Sequence, residues 1–244
     1  MKGIFLLLVF IVFIIVVFII VVSIIVFIKN RSFKEGLTNK QPNNKNKNNN
    51  NNSCVILIGD SILNNSNYIG HGQKTTFDNL KDILGPTVSL YNYAEDGATI
   101  QYCFQQVDKI PIDSLSYSND KLCIVVSCGG NDILNSRMKS NINNNIIDVS
   151  LDKLSLLIKS IQTKFPSSHI YLLNLYYPFH SKYSLYQPSI QSWNEKIQKL
   201  TRMSRDSTLV NITDAISEPK DLIYDIEPSE SGGYKVAVCI SNSL

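Results

Sequence analysis

Four short segments of this chain hold the residues whose types and spacing suit nucleophilic catalysis. The first is Gly59-Asp60-Ser61, which closes the apolar run Cys54-Val55-Ile56-Leu57-Ile58. A run of that length, mostly β-branched, suits a strand buried on both faces. Gly59 permits a backbone conformation that a side chain would forbid, so the chain leaves the sheet abruptly at Ser61. A serine presented on a strand-to-helix turn is a candidate nucleophile, because open α/β sheets bind ligands at the C-terminal edge of their strands. The other segments are Glu95-Asp96-Gly97-Ala98-Thr99, Gly129-Gly130-Asn131-Asp132 and Asp225-Ile226-Glu227-Pro228-Ser229. Each also has a plain structural role: Ser61 as a helix cap, Gly97 as a turn residue, Asn131 and Asp132 as a second cap.

The elements that must position these segments alternate. Strands are expected at 54–58, Val88–Ala94, Leu122–Cys128, Ile170–Tyr177 and Leu209–Ile212. Helices are expected at Thr75–Leu84, Ile100–Val107, Ile147–Lys164, Ser189–Met203 and Glu230–Ile240. The helix from Ile147 carries Ile147, Leu151, Leu154, Ile158 and Ile161 on one face, and that from Ser189 carries Ile190, Trp193, Ile197 and Leu200. Strand–helix alternation of this kind predicts a parallel sheet covered by helices on both faces. Four polar or glycine-rich segments then fall where one edge of the sheet gathers them.

The order and spacing of these segments resemble the SGNH/GDSL hydrolase family. Gly59-Asp60-Ser61 matches its first block, Gly97 its second and Gly129-Gly130-Asn131-Asp132 its third. The resemblance implies a three-layer α/β/α sandwich with a five-stranded parallel sheet of flavodoxin-like type. It implies Ser61 as nucleophile, with the backbone N–H groups of Ser61 and Gly97 and the Asn131 amide as the oxyanion hole. Three neutral donors aimed at one developing oxyanion suit that task. Asp60, Gly130 and His180 are expected beside the substrate. The last block departs from the family's Asp-x-x-His-Pro pattern: Glu227 stands in the histidine position, Tyr224 in the aspartate position, and Asp225 one residue closer. Three readings follow. Glu227 replaces histidine as general base with Asp225 or Tyr224 tuning it; His180 or His71 moves in; or hydrolysis is lost and the cleft survives as a binding site.

Outside this domain, residues 4–28 contain no charged residue, and Ser23 is their one polar side chain. About 25 such residues make a helix of roughly 37 Å, enough to cross a hydrocarbon core. The expectation is an uncleaved single-pass membrane anchor over 1–28, then a disordered Asn/Lys-rich linker over 29–53, then the hydrolase-like domain over 54–244. Lys29, Arg31, Lys34 and Lys40 after the span favour a cytoplasmic domain. Sequons at Asn30, Asn51, Asn64 and Asn211 would matter only on the other side. The five cysteines show no framework spacing.

The net charge of +3 divides unevenly: residues 1–53 hold seven basic residues and one acid, leaving 16 basic and 19 acidic residues in the domain. That balance points to no nucleic-acid partner. No metal or cofactor is implied, since neither ligand spacing nor a phosphate-binding glycine loop occurs. The expected function is hydrolysis of, or acyl transfer from, a small-molecule, lipid or glycan ester at a membrane. The alternatives are a glycan- or lipid-binding domain without turnover and an interaction module of a membrane assembly.

Overall fold

A computed structural model describes residues 53–112, 122–138 and 146–244. The expected membrane anchor and all but the last residue of the expected linker lie outside them. Among the described residues no helix is long and apolar enough to cross a membrane.

Strand β1 (Ser53–Gly59) is buried from Cys54 onward, as its unbroken apolar run requires. It lies between β2 (Val88–Asn92) and β3 (Leu122–Ser127), and β4 (His169–Leu173) and β5 (Ser207–Val210) follow. The sheet order is β2-β1-β3-β4-β5, and every pair in it is parallel. The chain moves one way from β1 to β2 and the other way from β1 to β3. The C-terminal ends of β1 and β3 therefore frame the switch point at which such sheets open a crevice.

Helices cover both faces. α1 (Thr76–Leu84) packs against the terminal helix α6 (Glu230–Ser243). On the other face α2 (Ile100–Lys109), α4 (Ile146–Lys164) and α5 (Gln187–Arg202) pack in succession. The predicted stripes reach the core: Ile147, Leu154 and Ile161 of α4 and Ile190, Trp193 and Ile197 of α5 are buried. α1 starts with a reciprocal cap, in which Asp78 N–H donates to Thr75 Oγ1 and Thr75 N–H to the Asp78 carboxylate.

Several elements were not expected. α3 (Gly130–Met138) follows β3 directly, a 3₁₀ helix spans Ser181–Tyr186, and β6 (Leu222–Ile223) pairs antiparallel with β7 (Glu227–Pro228). The hairpin turns at Tyr224 and Asp225, both with positive φ (50° and 70°). Ile226 N–H closes the turn by donating to the Ile223 carbonyl. Ile223 pairs with Glu227, so Tyr224, Asp225 and Ile226 form a three-residue hairpin loop.

Gly59, the last residue of β1, and Gly129, just after β3, are among the glycines demanded by their surroundings. A Cβ on Gly59 would stand 2.1 Å from the Ser127 carbonyl oxygen, and one on Gly129 would stand 2.3 Å from Trp193 Cζ2. Gly129 also has φ +99°. Gly129→Ala therefore combines backbone strain with a clash against a fully buried indole. The expected loss is about 3 kcal/mol, or roughly a 10 °C fall in Tm, read by thermal denaturation.

Candidate active site

The turn after β1 is held from several sides. Gln106 of α2 clamps Gly59, taking its N–H on Oε1 (2.7 Å) and donating from Nε2 to its carbonyl (2.8 Å). Glu95 N–H donates to the same carbonyl (2.9 Å), which extends the β2 register beyond Asn92. Asn65 joins this turn to the last block: its Nδ2 donates to the Pro228 carbonyl and its Oδ1 accepts from Thr76 N–H, each at 2.9 Å. Ser61, 8% exposed, is thereby fixed at the mouth of β1.

The second and third blocks are joined in the same manner. Gly97 sits in a turn closed by Ala98 N–H donating to the Glu95 carbonyl. Its φ of +72° requires glycine, although a Cβ there would meet nothing within 4 Å. Asn131 Nδ2 donates to the Ala98 carbonyl (3.0 Å). Asp132 caps a helix other than its own, accepting Ile100 N–H on Oδ2 (3.0 Å). Asp96 receives the Tyr68 hydroxyl (2.7 Å) and Asn67 Nδ2 (3.3 Å) from the loop after β1.

A cleft enclosing about 570 Å³, its open mouth included, lies at this switch point. Asp60, Ser61, Gly130, Asn131 and Glu227 all line it, with Leu134, Leu175, Tyr176 and Ile190 among its apolar walls. Among the described residues no Lys, Arg or His lines it. The Ser61 hydroxyl and the Glu227 carboxylate line the same cleft. Burial raises the Glu227 carboxyl above its usual range; the nearby Ser61 hydroxyl opposes this and the charge of Asp96 adds to it. Burial also pushes Asp60 up to about 7, against bonds from the Ser127 hydroxyl and Ile62 N–H and with a smaller push from Glu227.

Other expected residues lie elsewhere. Asp225 is paired with Lys182 at 2.8 Å, which lowers its carboxyl, and it does not line the cleft. His180 is exposed and caps the 3₁₀ helix, accepting Lys182 N–H on Nδ1 (3.2 Å). His71 is exposed in the loop after β1. Neither imidazole lines the cleft. Gly97 does not line it either, but is held next to Asn131 through Ala98. Among the described residues no group of three or more His, Cys, Asp or Glu side chains is placed to hold a metal ion.

Sequence reasoning missed Tyr176, Gln106, Asn65 and Ser127. The Tyr176 hydroxyl donates to the Ile226 carbonyl at 2.5 Å, fixing the residue before Glu227. Each acts across a long stretch of chain, so no local pattern marks it; the one available signal is a polar residue inside an apolar stripe, as at Gln106. Tyr176→Phe removes the bond to the hairpin. It should lower stability by about 1 kcal/mol and reduce kcat more than it changes KM.

A model of the GDSL-like Lipase/Acylhydrolase family matches residues 55–229. Solved structures share the fold. The lipase Lip_vut3 from a goat rumen metagenome aligns with a TM-score of 0.59 at 17% identity, over 78% of this chain and 97% of its own. A member of the lipolytic protein G-D-S-L family from Veillonella parvula aligns with the same TM-score, identity and coverage of both chains. Axe2, an acetyl xylan esterase from Geobacillus stearothermophilus, aligns at 0.58 and 14% identity, over 78% of this chain and 93% of its own. No curated protein sequence matches the chain.

Proposed function

The chain belongs to the GDSL-like lipase/acylhydrolase family, and from that premise we propose that it cleaves a carboxylic ester through Ser61 with Glu227 as general base. The observation that carries this reading is the convergence of Ser61, Asn131 and Glu227 on one cleft, with the Glu227 carboxyl near enough to Ser61 to feel its hydroxyl. A carboxylate of ordinary pKa, about 4.3, is a weak base toward a serine hydroxyl. Burial moves Glu227 toward the useful range.

In this mechanism Glu227 takes the Ser61 proton as Oγ attacks the ester carbonyl. Asn131 Nδ2 and the backbone N–H of Ser61 receive the oxyanion, and the Gly97 turn holds Asn131 in place through the Ala98 carbonyl. The departing alkoxide takes the proton from Glu227. A water molecule, activated by the same carboxylate, then releases the acid. The apolar walls suit an uncharged acyl group, and the two carboxyl groups disfavour an anionic one. The substrate is a small-molecule, lipid or glycan ester; a membrane location rests on the apolar run 4–28 alone.

The absence of imidazole from the cleft favours one second reading, a cleft that binds an ester without cleaving it. Incubation of the full chain with a short-chain chromogenic ester and a fluorophosphonate separates the two. Turnover together with a covalent adduct on Ser61 supports the enzyme. Neither result, with retained ester binding, supports the binding domain.

A further inference from the structure

Asp60, just after β1, and Glu227, in β7, line the same cleft as Ser61. Asp60 is 2% exposed. Its Oδ1 accepts from Ser127 Oγ (2.7 Å) and from Ile62 N–H (3.2 Å). Its Oδ2 lies on the cleft side, 4.0 Å from where a Cβ on Gly130 would stand. Glu227, the Tyr176 phenol and the Cys128 thiol face Asp60. Asp60, Asp96, Tyr68 and Tyr176 face Glu227. None of these is a cation, and Lys182 at the hairpin is engaged by Asp225.

Two carboxylates in one buried cleft, with no cation among the described residues that line it, do not both ionise readily. The nearby Ser61 hydroxyl favours the charged form of Glu227, and Asp60 is the more deeply buried of the two. We infer that Asp60 is a positioning residue that carries the single proton of an Asp60–Glu227 carboxyl pair, leaving Glu227 the only charged member beside Ser61. Its catalytic consequence rests on the ester-hydrolase reading; its geometry does not.

The Asp60 proton is not consumed. In acylation the Ser61 proton passes to Glu227 and then to the leaving alkoxide, while the new C–O bond forms as the ester bond breaks. Loss of the Asp60 proton places a second negative charge near the growing oxyanion and tightens the hold of Glu227 on the proton it must return. Activity therefore falls on the alkaline side as Asp60 ionises, and on the acid side as Glu227 is protonated.

The test is the pH profile of kcat/KM for the full chain with a chromogenic ester. The wild-type profile should be bell-shaped, with an alkaline limb near the Asp60 value of about 7 and a fall of about tenfold per pH unit beyond it. Asp60→Asn should abolish that limb while keeping the acid one. Ser127→Ala, which removes a donor to the charged form, should move the alkaline limb upward. Infrared difference spectra of the resting protein between about pH 6 and about pH 8 give a readout that needs no turnover. A protonated-carboxyl band should disappear in the wild type, and Asp60→Asn should lack it. An alkaline limb unchanged in Asp60→Asn, or identical spectra for the two proteins, overturns the inference. If Asp60→Asn does not fold, an unmoved limb in Ser127→Ala or the absence of the wild-type band does so. If the wild type cleaves no ester, the proposed function fails while the spectra still decide the carboxyl pair.

Discussion

Ser61→Ala should lower kcat/KM toward any ester the protein cleaves by about ten-thousand-fold or more, and should abolish fluorophosphonate labelling. The size follows from the role: without Oγ no acyl intermediate forms, and the residual rate comes from binding and the oxyanion donors alone. The fold should be untouched. Ser61 is not a helix cap in this structure, and its side chain lines the cleft with Glu227. Alanine removes one oxygen from the cleft wall and leaves Gln106 clamping Gly59 as before. An unchanged melting temperature with rate and labelling both lost is the expected pair of results. Retained turnover would place the nucleophile elsewhere.

Glu227→Gln should cost about a thousand-fold in kcat, the range of a general base, with KM little changed. The amide matches the carboxylate in shape but takes no proton. The wild-type rate should rise with pH as Glu227 ionises. Burial raises that carboxyl, so the rise lies above the pH of an ordinary glutamate. Glu227→Gln should flatten it. The competing assignment makes the opposite forecast: if an imidazole were the base, His180→Ala or His71→Ala would remove the rate and Glu227→Gln would spare it.

How much of this was legible in the sequence depends on how local each signal was. β1 and β3 were readable because burial on both faces forces an unbroken apolar run. α4 and α5 were readable because their stripes repeat at helical spacing. α3 was not: Gly130-Asn131-Asp132-Ile133-Leu134-Asn135-Ser136 has no apolar stripe, because one side of it lines a cleft. β5 was placed two residues late, since Ser207 and Thr208 are polar yet pair with Ile170 and Tyr171. The β6–β7 hairpin was hidden because Tyr224 and Asp225 take positive φ without glycine. The same turn explains Asp225. It was numbered close to Glu227, yet the turn carries it to Lys182 instead of the cleft. For the site, the matched blocks pointed to Ser61, Asn131 and Glu227, which line one cleft. They could not say that Asp60 and Glu227 would share one cavity, because that is a property of residues far apart in the chain.

The all-parallel sheet has a practical corollary for handling the protein. Ser53 opens β1, and the cleft lies past that strand's other end, roughly 23 Å away at the usual rise of a seven-residue strand. Ser53 itself thus stands at the edge of the sheet opposite the mouth. A probe label placed at that position should therefore report on the domain without entering the cleft.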